Sequence, residues 1–216
     1  MPPAPESPRV VVLGEAVTEV LPDAADLVVT VQVRDRRRER ALELLAERQQ
    51  ELTALLDTHR ASLGAVSTDA VAAFPETGDG GRISGSVATT TTRARVADVG
   101  AAGELAVAVA GLADVSVHGP HWRVSREHPA HEQVRTGAVQ DAIARARAYA
   151  TALGGRLTGL VEVRDVGGRG SGRIMAAFSA AGSAPELELQ PAPQEVTGQV
   201  EVTFTMSVPD QELFAR

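Results

Sequence analysis

Four histidines sit close together in this sequence: His118, His121, His128 and His131. Neutral imidazole is a good ligand for zinc or copper, so the cluster is the first place to look for a metal site. Such a site would make the chain a metal-dependent, or otherwise unrecognised, hydrolytic enzyme. The spacing argues against it. His118 and His121 are three apart in an expected strand, and a regular pleat would turn them to opposite faces. Gly119-Pro120 between them could bend the strand and lift that objection. His128 and His131 straddle Pro129 at a helix start. Solvent-exposed histidines around a strand–helix corner are the plainer account, and no metal site is expected.

Arg34, Arg36, Arg37, Arg38 and Arg40 form a basic knot at the head of the first expected helix. Guanidinium groups at Arg36, Arg37 and Arg40 could grip a phosphate or an acidic partner, which would make the chain an adaptor. The plainer account is a solvated first turn balanced by Asp35, Glu39 and Glu43. Positive charge there opposes the helix dipole.

The stretch Gly167-Gly168-Arg169-Gly170-Ser171-Gly172-Arg173 has the composition of a phosphate loop. A dinucleotide fingerprint must follow a strand and open a helix; a strand precedes this one, but no helix pattern follows. It reads as a mobile loop. No GxSxG or HExxH pattern is present. The acids Glu15, Glu19, Asp23 and Asp26 gather around a strand end and a turn, where carboxylates are usually solvated. Trp122 and Tyr149 read as core or interface anchors. No catalytic residue and no cofactor are expected.

Composition closes further routes. The chain has 216 residues and no cysteine, which excludes disulfides, thiolate metal sites and cysteine nucleophiles. All 21 basic residues are arginine, so Schiff-base chemistry and a P-loop lysine are excluded too. The net charge of −7 argues against a nucleic-acid binder. Met1–Arg9 is Pro-rich without an apolar run, and no stretch has the roughly 20 apolar residues of a membrane helix. The chain as given is therefore read as cytoplasmic, with export only if a leader was removed.

The elements that must position these residues follow from periodicity. Val10–Val20 is extended, and Pro22-Asp23 marks a turn. Leu27, Val29, Val31 and Val33 alternate with polar residues, a strand with one buried face. Asp35 is the expected N-cap of an amphipathic helix of about 24 residues, carrying Ala41, Leu44, Leu45, Leu52, Leu55 and Leu56 and ended by Gly64. Val66–Phe74 reads as a strand stopping at Pro75, and Arg82–Val96 as a long Thr-rich strand. Val99–Gly111 is a short helix and Val115–Ser125 a strand. His131–Leu153 is the second long helix, with Val134, Val139, Ile143, Ala146, Tyr149, Ala150 and Leu153 as its stripe and Gly154-Gly155 as its C-cap. Ala138, Ala142 and Ala146 would let it approach its partner closely. Leu157–Val166 is a strand. Val196, Val200, Val202, Phe204, Met206 and Val208 alternate in the last one, which should pack under the long helices.

Four segments carry a family resemblance. They are Gly14-Glu15-Ala16 with Pro22-Asp23-Ala24-Ala25; the helix head Glu39-Arg40-Ala41-Leu42; Arg82-Ile83-Ser84-Gly85; and Ala142, Ala146-Arg147-Ala148, Ala150, Ala152-Leu153-Gly154, Leu157 and Gly159. In this order, across about residues 9–208, they resemble the SIMPL family. Ala16 stands where the family usually has Gly, Ser86 where it has an aromatic, and Thr158 separates Leu157 from Gly159. The resemblance implies an α+β fold in two interlocked parts, frequent oligomers, and bacterial relatives linked to envelope or stress tolerance. It implies no catalytic residues.

The expected fold class is α+β: largely antiparallel sheets, two long helices packed on one face, and two interlocked subdomains. Residues 1–8 are expected to be a disordered Pro-rich N-terminus, 167–194 a flexible loop and 209–216 a tail. One subdomain would span about 9–96 plus 195–208, the other about 97–166. The expected function is a non-enzymatic, self-associating protein with a scaffolding or stress-related role. Its expected partners are copies of itself and a possible second protein, without nucleic acid or a membrane span. The region Ser84–Thr92 of the long strand is the expected contact with another subunit or sheet.

Overall fold

A computed structural model describes residues 7–78, 81–166 and 189–214. In chain order the elements are β1 (Arg9–Val20), β2 (Ala24–Asp35), α1 (Arg38–Thr58), β3 (Leu63–Thr77), β4 (Ile83–Val96), α2 (Ala101–Ala110), β5 (Val115–Arg123), α3 (Ala130–Ala152), β6 (Leu157–Asp165) and β7 (Gln194–Met206). Helices and antiparallel strands are mixed, an α+β fold with three α-helices among the described residues. Of the loop expected over 167–194, residues 167–188 lie outside the described residues.

The chain divides into two compact units. One comprises Met1–Val20, Arg126–Ala176 and Pro193–Arg216; the other comprises Leu21–Ser125 and Ala177–Ala192. This grouping differs from the one read from the sequence. There, β1 and β7 went with β2–β4; here β1 pairs with β7 along its whole length and packs with α3. The two long helices likewise cover separate sheets.

The first unit is a three-stranded sheet, order β1-β7-β6, under α3. Val200, Val202, Phe204 and Met206 are buried with Val10 and Val12, so the alternation of β7 does present one face to the core. The helix face against them is the small-residue face expected to approach closely, but the stripe expected to run on through Val139 and Tyr149 is not buried. Ala130, Val134, Ala138, Ala142, Ala146 and Ala150 are buried at a spacing of four, while Val139 and Tyr149 are exposed. The reason is distance. A Cβ on Gly14 of β1 would fall 2.0 Å from the Ala138 carbonyl oxygen, and one on Gly198 of β7 would fall 2.7 Å from the Val134 carbonyl. Missing side chains on the strands and small ones on the helix let the backbones touch. The Asp141 carboxylate accepts from the Glu15 amide at 3.0 Å and pairs with Arg145 at 2.8 Å, tying α3 to the edge strand. Gly154 and Gly155 close α3 as expected, donating to the Thr151 and Ala150 carbonyls.

The second unit is a four-stranded sheet, order β3-β4-β2-β5, with α1 and α2 on one face. Its core uses large side chains: Leu27, Val29 and Val31 of β2, Leu45, Leu52 and Leu56 of α1, Leu105 and Val109 of α2. The helix α1 starts at Arg38, later than expected. Asp35 accepts from the Arg37 amide at 2.8 Å without serving as N-cap, and Gly64 lies inside β3 because a short 3-10 turn, Arg60–Ser62, follows α1. β3 also runs through Pro75, which an edge strand tolerates because its amide is not needed for a second neighbour.

Candidate functional site

In the second unit the sheet face away from α1 and α2 carries a cluster of charged side chains. Pairing fixes which residues share it. Opposite residues in an antiparallel pair point to the same side. Asp26, Val28, Thr30, Gln32 and Arg34 of β2 lie opposite Arg95, Arg93, Thr91, Thr89 and Val87 of β4. On the other flank, His121 pairs with Asp26 and His118 with Val28.

Those two histidines therefore share a face, contrary to what a regular strand would give. The register shifts between Asp26 and Val28, so β5 spends two residues, Gly119 and Pro120, where β2 spends only Leu27. Gly119 takes φ 123, a region that favours glycine, and the Gly119-Pro120 bond is cis. The bulge adds the single residue needed to restore the alternation. Its signal in the sequence was the Gly-Pro pair itself.

Asp26 is the centre of this face. Its carboxylate takes the Arg95 guanidinium at 3.2 Å on one side and that of Arg123 on the other. Burial pushes the carboxyl up, but the hydrogen bonds and charges of Arg123 and Arg95 outweigh it and hold it below the usual carboxylate range. Nearby, Arg93 pairs with Asp69 at 3.1 Å, and the Thr30 and Thr91 hydroxyls meet at 3.4 Å. Each charge is thus spoken for by an opposite one. Asp23 and Asp26, read from the sequence as solvated acids, are structural: Asp23 accepts from both the amide and the hydroxyl of Ser125. The Arg partners of Asp26 come from 69 and 97 residues away, which no local pattern reveals.

His128 and His131 lie in the other unit, at the start of α3. The His128 Nδ1 accepts from the Ala130 amide at 3.1 Å, satisfying the first amide of α3 from ahead of its N-cap, Pro129. Among the described residues no group of three or more His, Asp or Glu is placed to hold a metal ion.

The basic knot is divided. Arg34 pairs with Glu76 at 3.4 Å, and Arg40 with Glu43 at 3.0 Å and Glu47 at 3.3 Å. The Glu43 hydrogen bond and the Glu47 charge raise the pKa of Arg40 further above its ordinary value. Arg36, Arg37 and Arg38 are exposed and, among the described residues, have no acidic partner. Trp122 packs against the core of its sheet, as an anchor should, whereas Tyr149 is exposed on α3.

Three sheet edges carry exposed apolar side chains, β1 with Val11, Leu13 and Val17 among them. On β3 these are Val66, Val71 and Phe74, with Ile83 just across the hairpin; on β6 they are Leu160, Val161 and Val163. The long strand β4 is itself interior, flanked by β2 and β3, so Ser84–Thr92 offers no free edge; β3 takes that position instead. No described helix is long and apolar enough to cross a membrane.

Among curated proteins, none matches this chain. A family model described as "SIMPL: Protein of unknown function (DUF541)" matches residues 10–204. That match runs from the first residues of β1 almost to the end of β7 and so takes in both sheets. The chain belongs to the SIMPL (DUF541) family.

Proposed function

We propose that this chain is a non-enzymatic protein that associates with copies of itself and serves as a scaffold, with stress tolerance as the setting that the family resemblance implies. The observation behind this reading is the outer edge of β3. Val71 and Phe74 are 61% and 47% exposed there, and Ile83, paired with Thr77 at the hairpin end, is 72% exposed. An unpaired edge with exposed apolar side chains is a template for another strand. Bulges at Leu63/Val66 and Thr68/Val71 interrupt the first half of β3, leaving Val71–Phe74, ahead of the edge-blocking Pro75, as the regular stretch open to a partner strand. The same stretch carries the exposed Val71 and Phe74. The non-enzymatic part of the reading is supported by Asp26: a carboxylate held ionised between two guanidiniums is a poor general acid or base for the neighbouring histidines.

Light scattering over a hundredfold dilution tests the reading. The expected mass is a multiple of the monomer at micromolar concentration. Val71→Glu combined with Phe74→Glu should reduce it to the monomer, with an unchanged far-UV circular dichroism spectrum. A monomeric mass for the unaltered chain at every concentration would end the proposal.

A second reading rests on Arg36 and Arg37, exposed and without an acidic partner among the described residues. They would let the chain act as an adaptor for an acidic protein. Salt-sensitive capture of such a protein from the source cells, lost in Arg36→Glu plus Arg37→Glu, would favour it. Capture that survives the double change would remove it.

A further inference from the structure

In the first unit, α3 lies over β1 and β7 and leaves β6 largely uncovered. Leu157, Leu160 and Val163 of β6 are opposite Met206, Phe204 and Val202, all three buried on the helix side of the sheet. The β6 residues therefore continue the apolar face of the core, yet Leu160 is 62% and Val163 50% exposed. Leu157 and Leu160 of this strip line a trough of about 500 Å³ between β6 and α3, with Ile143 on the helix wall, and Val163 continues the strip beyond it. That volume is within the range of roughly 300–1,000 Å³ common to small-molecule sites.

The trough is asymmetric in charge. Arg147 of α3 and Arg156, just before β6, both line it. Neither has an acidic partner among the described residues, whereas Arg145 and Arg164 of the same unit are each paired. An occupant that fits must bring an anion to the arginines and an apolar body to Ile143, Leu160 and Phe204. From Leu157 to Val163 the strand offers an apolar strip of about 20 Å at 3.3 Å per residue.

We propose that this trough binds a fatty acid of about twelve carbons or more, its carboxylate between Arg147 and Arg156 and its chain along Leu157 and Leu160 towards Val163. Guanidinium and carboxylate match in charge and in planar hydrogen-bonding geometry, and the chain removes apolar surface on both partners from water. The site involves only the first unit and is independent of the β3 edge, so either proposal can fail alone.

Titration calorimetry of the full chain with dodecanoate, kept below its micellar concentration, tests the assignment. Saturable one-site binding is expected. Arg147→Gln combined with Arg156→Gln should weaken it by about tenfold or more, as should replacing the acid by its methyl ester, because both remove the charge match. Leu160→Asp should abolish binding, with folding checked by circular dichroism. Absence of saturable binding would overturn the proposal. So would dodecanoate and its ester binding equally well. If Leu160→Asp instead lowers the mass of an assembly that does not bind dodecanoate, the strip is a subunit contact and the proposal falls.

Discussion

The two units solve the same packing problem, helix on antiparallel sheet, with opposite side-chain sizes. The core under α1 and α2 interdigitates Leu27, Leu45, Leu52, Leu56 and Leu105 with valines of the sheet. The core under α3 sets Ala138, Ala142, Ala146 and Ala150 against strands that carry Gly14 and Gly198. In the first case stability comes from apolar volume withdrawn from water. In the second the backbones themselves are in contact, and what matters is that nothing stands between them. The leucine-rich core should therefore be vulnerable to lost atoms and the glycine–alanine one to added atoms.

Truncation in the leucine-rich core should have the largest effect. Leu52 is fully buried, and Leu52→Ala should cost about 2–5 kcal/mol in chemical denaturation. A loss well under 1 kcal/mol would mean that the site collapses around the gap and that the contrast with α3 is overstated.

Addition of one methyl group in the other core comes next. Gly14→Ala places a Cβ against the Ala138 carbonyl, a backbone group that cannot swing aside. The expected loss is about 1–3 kcal/mol, as for overpacking elsewhere. An unchanged midpoint would show that α3 can lift off the sheet freely.

The smallest effect should come from the charged face, where neither rule applies. The Arg95 and Arg123 partners lower the folded pKa of Asp26 despite its partial burial. A lowered pKa gives stability that is present above the unfolded value of about 3.9 and is lost as pH falls through the folded one. Asp26→Asn should therefore cost about 1 kcal/mol at pH 7, a modest figure because the arginines are half exposed. The difference from the unaltered chain should shrink below about pH 4. A gap that stays constant down to pH 2 would show that the ion pairs contribute nothing.

Much of this molecule was legible where one element contains its own signal. The alternation of Val200, Val202, Phe204 and Met206 determined the buried face of β7, because the side-chain period of a strand is two. The spacing of Ala41, Leu45, Leu52 and Leu56 did the same for α1. Four short phrases in the right order were enough to indicate the SIMPL family, which residues 10–204 bear out. Local patterns could do no more. Alanine is too weakly apolar to mark a whole face: the sequence singled out Ala138, Ala142 and Ala146 for close approach but also drew the stripe through Val139 and Tyr149, and only contact with Gly14 and Gly198 decided between them. The pairing of β1 with β7, as in Glu15 with Gln199, depends on residues at opposite ends of the chain. His118 and His121 reached one face through a bulge whose register belongs to β2 as much as to β5. Asp26 acquired its state from two arginines far along the chain. Periodicity belongs to a segment and can be read from it, whereas register, close approach and charge pairing are properties of two segments at once, and only the tertiary structure brings them together.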